Sequence, residues 1–135
     1  MTTTLTQTDW VVLKFGGGLI TEKEKLLTAR DQVIDALAGA VSDIQAAGKS
    51  PIVVHGAGSF GHIKAKRWRL HEGRNDGWPP ESTNGGGITS QDEACLSVHQ
   101  DMLNLNARVV ESLARAGLAT SVPPPRDWAN GTGPH

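Results

Sequence analysis

Pro51-Ile52-Val53-Val54-His55-Gly56-Ala57-Gly58-Ser59-Phe60-Gly61-His62 is the stretch whose reading decides the fold. Ile52, Val53 and Val54 form a β-branched run bounded by Pro51 and Gly56. Such a run predicts a short strand covered on both faces. Glycine at 56, 58 and 61 lets backbone N–H groups approach a ligand with no Cβ in the way. A helix opening after the turn adds unpaired N–H donors and the positive end of its dipole. Strand, glycine turn and helix start together predict an anion site, most often one for phosphate. His62 stands one residue past the last glycine, where its ring reaches the same anion.

Working outward toward the N-terminus, Trp10-Val11-Val12-Leu13-Lys14-Phe15 reads as a first, nearly all-apolar strand. Gly16-Gly17-Gly18 ends it, which makes a second strand-to-glycine junction. Leu19 to Lys25 reads as a connector, followed by a helix from about Leu26 to Ala47. Leu26, Val33, Leu37, Val41 and Ile44 give that helix one apolar stripe, and Gly48 suits the C′ position. Strand, helix and strand in this order imply a right-handed parallel crossover.

Beyond the central turn, Ile63 to Leu70 reads as a helix whose basic residues (Lys64, Lys66, Arg67, Arg69) form a solvated face. Residues 71–87 read as a long aperiodic loop of the functional or disordered kind. Ser90-Gln91-Asp92-Glu93 has the form of a capping box and starts a helix that runs to about Ala116. Its expected buried stripe is Cys95, Val98, Met102, Leu105, Val109 and Leu113, with Cys95 a small core residue. Gly117 closes the helix, Leu118 to Val122 reads as a third strand, and Pro123-Pro124-Pro125 stops regular structure. The fold class expected is α/β, an open three-layer α/β/α sandwich with a mainly parallel sheet. Residues 1–9 are expected to be disordered, 10–122 to form the domain, and 123–135 to be an irregular tail.

Composition narrows the function. The 135 residues suffice for one domain with a core. Thirteen basic and fourteen acidic residues give a net charge of -1, so no basic field argues for nucleic acid. A single cysteine, Cys95, excludes an internal disulfide framework and a multi-cysteine zinc site, and fits a reducing cytoplasm. The polar, Thr-rich Met1–Asp9 is no signal peptide, and no apolar run approaches a membrane span of about 20 residues. His55 reads as a strand-end residue bonded to backbone, and His71 and His99 make no metal cluster with the others.

Gly56, Gly58 and Gly61 match the dinucleotide fingerprint by spacing. That fingerprint wants an acidic residue about 20 positions on, at the end of a second strand. Here that window is Asn75–Glu81, rich in Gly and Pro with no strand before it, so the context test fails. The Walker pattern fails too, because no Gly-Lys-Ser/Thr follows either turn. The pair of junctions is more informative. Glycine turns at the C-terminal ends of adjacent parallel strands face one crevice. Lys14 and Lys23 flank the first turn and His62 follows the second. Two phosphates side by side with lysines between them are what phosphoryl transfer needs, since its catalysis is mostly positioning and electrostatic stabilisation.

Val12-Leu13-Lys14-Phe15-Gly16-Gly17-Gly18-Leu19-Ile20-Thr21-Glu22-Lys23 resembles the opening of the amino acid kinase superfamily. His55-Gly56-Ala57-Gly58-Ser59-Phe60-Gly61-His62 resembles its isopentenyl phosphate kinase branch, as do Val98-His99-Gln100-Asp101-Met102 and Ser121-Val122-Pro123. The resemblance implies ATP and Mg²⁺ as cofactors and a small-molecule phosphate, isopentenyl phosphate, as acceptor. It implies that Lys14, Gly16, Gly17 and Gly18 face the ATP phosphates and that Lys23 stabilises the transition state. It implies that Gly56, Gly58, Gly61 and His62 hold the acceptor phosphate, and that Ala57 falls where a glycine touches the nucleotide. His62, Lys14 and Lys23 are thus the candidate catalytic residues, and no metal ligand is assigned.

Gly18 replaces the family's serine, Glu22 its aspartate, and Ala57 its glycine. Family members are roughly twice this long, so the chain is expected to be an acceptor-binding N-terminal half: a fragment, a truncated product or part of a split enzyme. Its expected partner is a second copy or a missing C-terminal half. The rival readings are another small phosphate or phosphonate kinase, such as a fosfomycin kinase, and a non-catalytic domain that binds a phosphorylated small molecule.

Overall fold

The computed structural model describes residues 9–77, 87–123 and 129–130. Of the expected disordered stretch 1–9, residues 1–8 lie outside these, as do most of the expected 123–135 tail and 78–86 of the long loop, while Asp9 is held by Ser50 N–H on its carbonyl and by Lys49 on its carboxylate. Strand β1 (Trp10–Phe15) pairs with β2 (Ser50–His55) in parallel, in register from Trp10↔Ser50 to Phe15↔His55. The α/β class with a parallel sheet is therefore as read from the sequence. Alternation along the strands turns Leu13, Phe15 and Val53 into the core. The opposite face carries Trp10, Val12, Lys14, Ile52 and Val54, with Val12 66% and Val54 45% exposed. Among the described residues, then, β2 is covered on one face rather than two, and the third layer of the expected sandwich is not among them.

Helix α1 (Gly17–Ile20) is a single turn that begins inside the first glycine run. Helix α2 (Asp31–Ala46) starts five residues later than its apolar spacing suggests. The reason is a folded loop: Thr21 bridges Ala29, Glu22 N–H donates to Thr28 O at 2.8 Å, and Arg30 N–H donates to Ile20 O at 2.8 Å. These bonds use backbone groups a helix would need, and they leave Leu26 and Leu27 exposed. The buried stripe of α2 is Ile34, Ala38 and Val41, with Val33, Leu37 and Ile44 at its margins. The helix ends in a Schellman turn: Gly48 N–H donates to Gln45 O and Lys49 N–H to Ile44 O.

After β2 come a 3-10 turn (Gly58–Phe60), the short helix α3 (His62–Arg67), and a second 3-10 turn (Leu70–Glu72). Helix α4 (Gln91–Arg115) begins as its capping sequence predicts, with Ser90 Oγ accepting from Glu93 N–H at 3.2 Å. The Glu93 carboxylate takes its bonds from Thr89 N–H and Oγ–H, which hold it below the usual carboxylate range. Leu105, Val109 and Leu113 of α4 close over Phe15, Ile34, Ala38 and Val41. Cys95 is exposed, because Ala94 rather than Cys95 lies on the buried line of α4. The third strand expected at 118–122 is absent. Leu118 instead completes the α4 Schellman turn, its N–H on Leu113 O and its side chain in the core, and the residues after it have no ladder partner among those described.

Helices α2 and α4 are also joined by polar links. Ser112 Oγ–H donates to Asp35 Oδ1 at 2.5 Å and Arg115 Nη2 donates to the same oxygen at 2.7 Å. The Ser112 hydroxyl, then the Arg115 guanidinium, hold the Asp35 carboxyl below its usual range. A depressed folded value stabilises above the unfolded pKa of about 3.9 and ceases to stabilise as pH falls through the folded value. Thermal unfolding of the chain and of Asp35→Asn should thus differ at pH 7, with the difference shrinking below about pH 4. A difference undiminished at pH 2 would mean that the carboxylate charge is not what joins the helices.

Candidate functional site

Both strands end at the same level, Phe15 beside His55, so both glycine turns leave the sheet together. The turns pack backbone on backbone. A Cβ on Gly56 would lie 2.7 Å from Gly17 N, and one on Gly17 would lie 2.9 Å from Gly58 Cα. Gly58 also has φ +50°, in the left-handed region, and its Cβ would meet Gly17 O at 2.5 Å. Glycine is required here first for this mutual approach. Gly61 answers Ala57, whose Cβ would be 2.6 Å from an added one.

The turn's own bonds decide which donors remain. Gly56 N–H donates to Phe15 O at 2.9 Å and Gly61 N–H to Gly58 O at 3.3 Å, so neither expected acceptor-site donor is spare in this structure. The N–H groups of Gly17, Gly18, Ala57, Gly58 and His62 have no acceptor among the described residues. Ala57 has φ -74°, a conformation in which its N–H stays available despite the methyl group. Gly16 is half-buried, and its carbonyl accepts from Leu19 and Ile20 N–H.

A buried threonine locks the turns together. Thr21 Oγ1 donates to Gly17 O at 2.7 Å and accepts from Ser59 N–H at 2.9 Å. Ser59 Oγ in turn bonds Thr28 O and accepts from Thr28 N–H. Thr21 and Ser59 are both buried, so the hydroxyls satisfy groups that would otherwise be costly to leave unpaired. Neither residue stands out in sequence. A hydroxyl four positions past a glycine that opens one helical turn is the only signal, and it is a weak one.

An open cleft of about 480 Å³ is lined by Gly18, Lys23, Glu24, Gly58, His62, Ile63 and Lys66. It unites Gly18 and Lys23 of the first junction with Gly58 and His62 of the second. Lys14 is not part of it, since strand alternation turns its side chain to the outer sheet face, beside Val54 in the register. Glu24, Ile63 and Lys66 are the lining residues that spacing alone did not suggest. Within α3 the basic residues divide: Lys64 Nζ turns to α4, 2.5 Å from Asp101 and 2.6 Å from Ser97 Oγ, with both charged side chains largely buried. Lys64 is thus no part of a solvated face. His55 Nδ1 lies 3.2 Å from the backbone oxygen of Gly56, as expected for a strand-end histidine, and its Nε2 also lies 3.1 Å from Asn106 Oδ1 on α4. Among the described residues, no group of three or more His, Cys, Asp or Glu could hold a metal ion. Nor is any helix among them long and apolar enough to cross a membrane.

A parallel α/β unit with two interlocked glycine turns opening on a cationic cleft at the carboxyl ends of its strands is the class that these features define. Within it, the chain belongs to the amino acid kinase family, whose model matches residues 9–129. It is 37% identical over 108 residues to an isopentenyl phosphate kinase of Thermoplasma acidophilum, spanning 80% of this chain and 38% of that enzyme. It is 39% identical over 69 residues to an isopentenyl phosphate kinase of Arabidopsis thaliana, spanning 51% of this chain and 18% of that protein. The solved product complex of the T. acidophilum enzyme superposes with a TM-score of 0.61 at 33% identity, covering 82% of this chain and 40% of that one. A solved isopentenyl phosphate kinase substrate complex gives 0.58 at 32% identity. The chain therefore spans about two fifths or less of the length of these relatives.

Proposed function

We propose that the chain is the acceptor-binding half of a kinase that transfers phosphate from ATP to isopentenyl phosphate, forming isopentenyl diphosphate. The observation that carries this reading is the cleft joining Lys23 and Gly18 to Gly58 and His62, in a chain 37% identical to an isopentenyl phosphate kinase. In the reading, residues 10–122 are the domain that performs this role, and the acceptor phosphate sits against His62 and the Gly58 turn. The ATP phosphates lie toward Gly17, Gly18 and Ala57, whose N–H groups are uncommitted among the described residues, and Lys23 stands between the two. Lys14, on the outer sheet face, Gly56 and Gly61, whose N–H groups are internally bonded, and Gly16, whose carbonyl caps the first helical turn, take supporting parts. Mg²⁺ is expected to travel with the ATP phosphates, since it keeps most of its waters and takes few protein carboxylates. Glu24 is the one carboxylate lining the cleft, which is too few for a protein-built Mg²⁺ site. The same reading carries a cytoplasmic location, and a second copy or a C-terminal half as partner.

One experiment tests both the chemistry and the division of labour. ADP release is measured from residues 1–135 with ATP, Mg²⁺ and isopentenyl phosphate, alone and after supplying the C-terminal portion that the relatives possess. Release is expected only in the second case, because a misplacement of about 1 Å in the donor already costs on the order of a hundredfold. In that completed kinase, His62→Ala should raise the Michaelis constant for isopentenyl phosphate by the loss of a charged hydrogen bond, about 1.5–3 kcal/mol. Kinetics unaltered at limiting and saturating acceptor would remove His62 from the site. Robust release from residues 1–135 alone would show this half to be sufficient. The non-catalytic reading predicts phosphate-ester binding with no release in either case.

A further inference from the structure

We infer that Lys66 is a second cationic ligand of the acceptor phosphate, acting with His62 to select a doubly charged phosphate ester over the uncharged alcohol. The inference rests on the acceptor-cleft reading above and deepens it. His62 and Lys66 are four residues apart on α3, a spacing that sets two side chains on one helix face. Both line the cleft, together with Gly58 and Lys23. The lysine between them in sequence, Lys64, is committed to Asp101 and Ser97 on α4. That tie also fixes the rotation of α3, so the face bearing Lys66 stays turned to the cleft. The Lys66 ammonium has no hydrogen bond or ion pair among the described residues, and the residue is exposed.

Charge arithmetic points the same way. Three basic side chains (Lys23, His62 and Lys66) meet one carboxylate, Glu24, around the cleft. A phosphate monoester is close to a dianion at neutral pH, with a second pKa of about 6. A single imidazole carries at most one positive charge and cannot balance a dianion alone. Lys23, assigned to the transferred group, serves a different phosphate. Lys66 supplies a permanent positive charge on the acceptor side, and its compact ammonium suits a phosphate oxygen without demanding bidentate geometry.

The test is equilibrium binding to the 135-residue chain itself, followed by the His62 imidazole NMR signals and by calorimetry. The probes are isopentenyl phosphate and, as the uncharged control, isopentenol. Wild type is expected to bind the phosphate ester with a shift of the His62 signals, and His62→Ala to weaken it. Lys66→Ala should weaken phosphate-ester binding about tenfold, the order expected for a charge-assisted bond, while Lys66→Arg retains most of it. Any isopentenol affinity and the thermal midpoint should stay unchanged in Lys66→Ala, as an exposed, unpaired lysine predicts. If His62→Ala weakens binding and Lys66→Ala does not, the inference is overturned and the cleft reading stands. If wild type does not bind the ester, or binds it independently of His62, the cleft reading fails and the inference with it.

Discussion

Gly17→Ala and Gly58→Ala are each expected to unfold the junction between the two turns, at a cost on the order of 3 kcal/mol. On Gly17 the new methyl group would lie 2.9 Å from Gly58 Cα, and on Gly58 it would lie 2.5 Å from Gly17 O. In both cases the obstacle is backbone, which cannot rotate away as a side chain can. Gly58 adds strain from its φ of +50°. Gly18→Ala is the control, because a Cβ there meets nothing within 4 Å. Denaturant midpoints should fall steeply for the first two variants and hardly at all for Gly18→Ala. Midpoints equal for all three would mean that the turns are not in contact in solution.

The same pair of turns explains what the sequence could reveal and what it could not. Strands β1 and β2 were legible because their apolar runs end at glycine clusters, and α4 because Ser90 and Glu93 announce its start. Those signals are local. The Gly17–Gly58 approach, by contrast, joins residues 41 positions apart, and nothing near either glycine announces the partner. Glycine at these positions suggests room for a ligand, and the structure gives that room first to chain packing. Thr21 carries no local signal for the same reason: its hydroxyl matters through Gly17 and Ser59. Periodicity misled where backbone bonds overrode it. The seven-residue step from Leu26 to Val33 suits a helix, yet the Thr21–Ala29 bridge consumes those groups. Ala94 takes the buried position that the spacing gives to Cys95, since helical phase cannot be set to a single residue until the neighbouring helix is known. Lys64 and Lys66 look alike in sequence, and only the position of Asp101 on α4 separates a structural lysine from one at the cleft.

Lys23→Ala is expected to lower the turnover of the completed kinase by on the order of a hundred- to a thousandfold, the usual loss when one preorganised charge donor is removed from a transition state. Lys23 lines the cleft together with Gly18 and Gly58, which belong to the two junctions that the reading assigns to donor and acceptor. It is exposed and makes no ion pair among the described residues, so its ammonium is not held by any group in competition with a phosphoryl oxygen. Charge on the transferred group is redistributed as it leaves one oxygen and meets the other, and a cation placed between them helps most at that point. Ground-state ATP, held largely by other contacts, should lose much less. The expected result is therefore a fall in turnover and in kcat/KM together, with ATP affinity altered by less than about tenfold, the pattern of an interaction made in the transition state. Lys23→Arg should recover part of the rate, because the charge returns with a different shape. Single-turnover measurements at saturating ATP and isopentenyl phosphate separate this step from binding. If ATP affinity collapsed while the single-turnover rate survived, Lys23 would be a ground-state nucleotide ligand and the stabilising charge would have to come from elsewhere in the cleft.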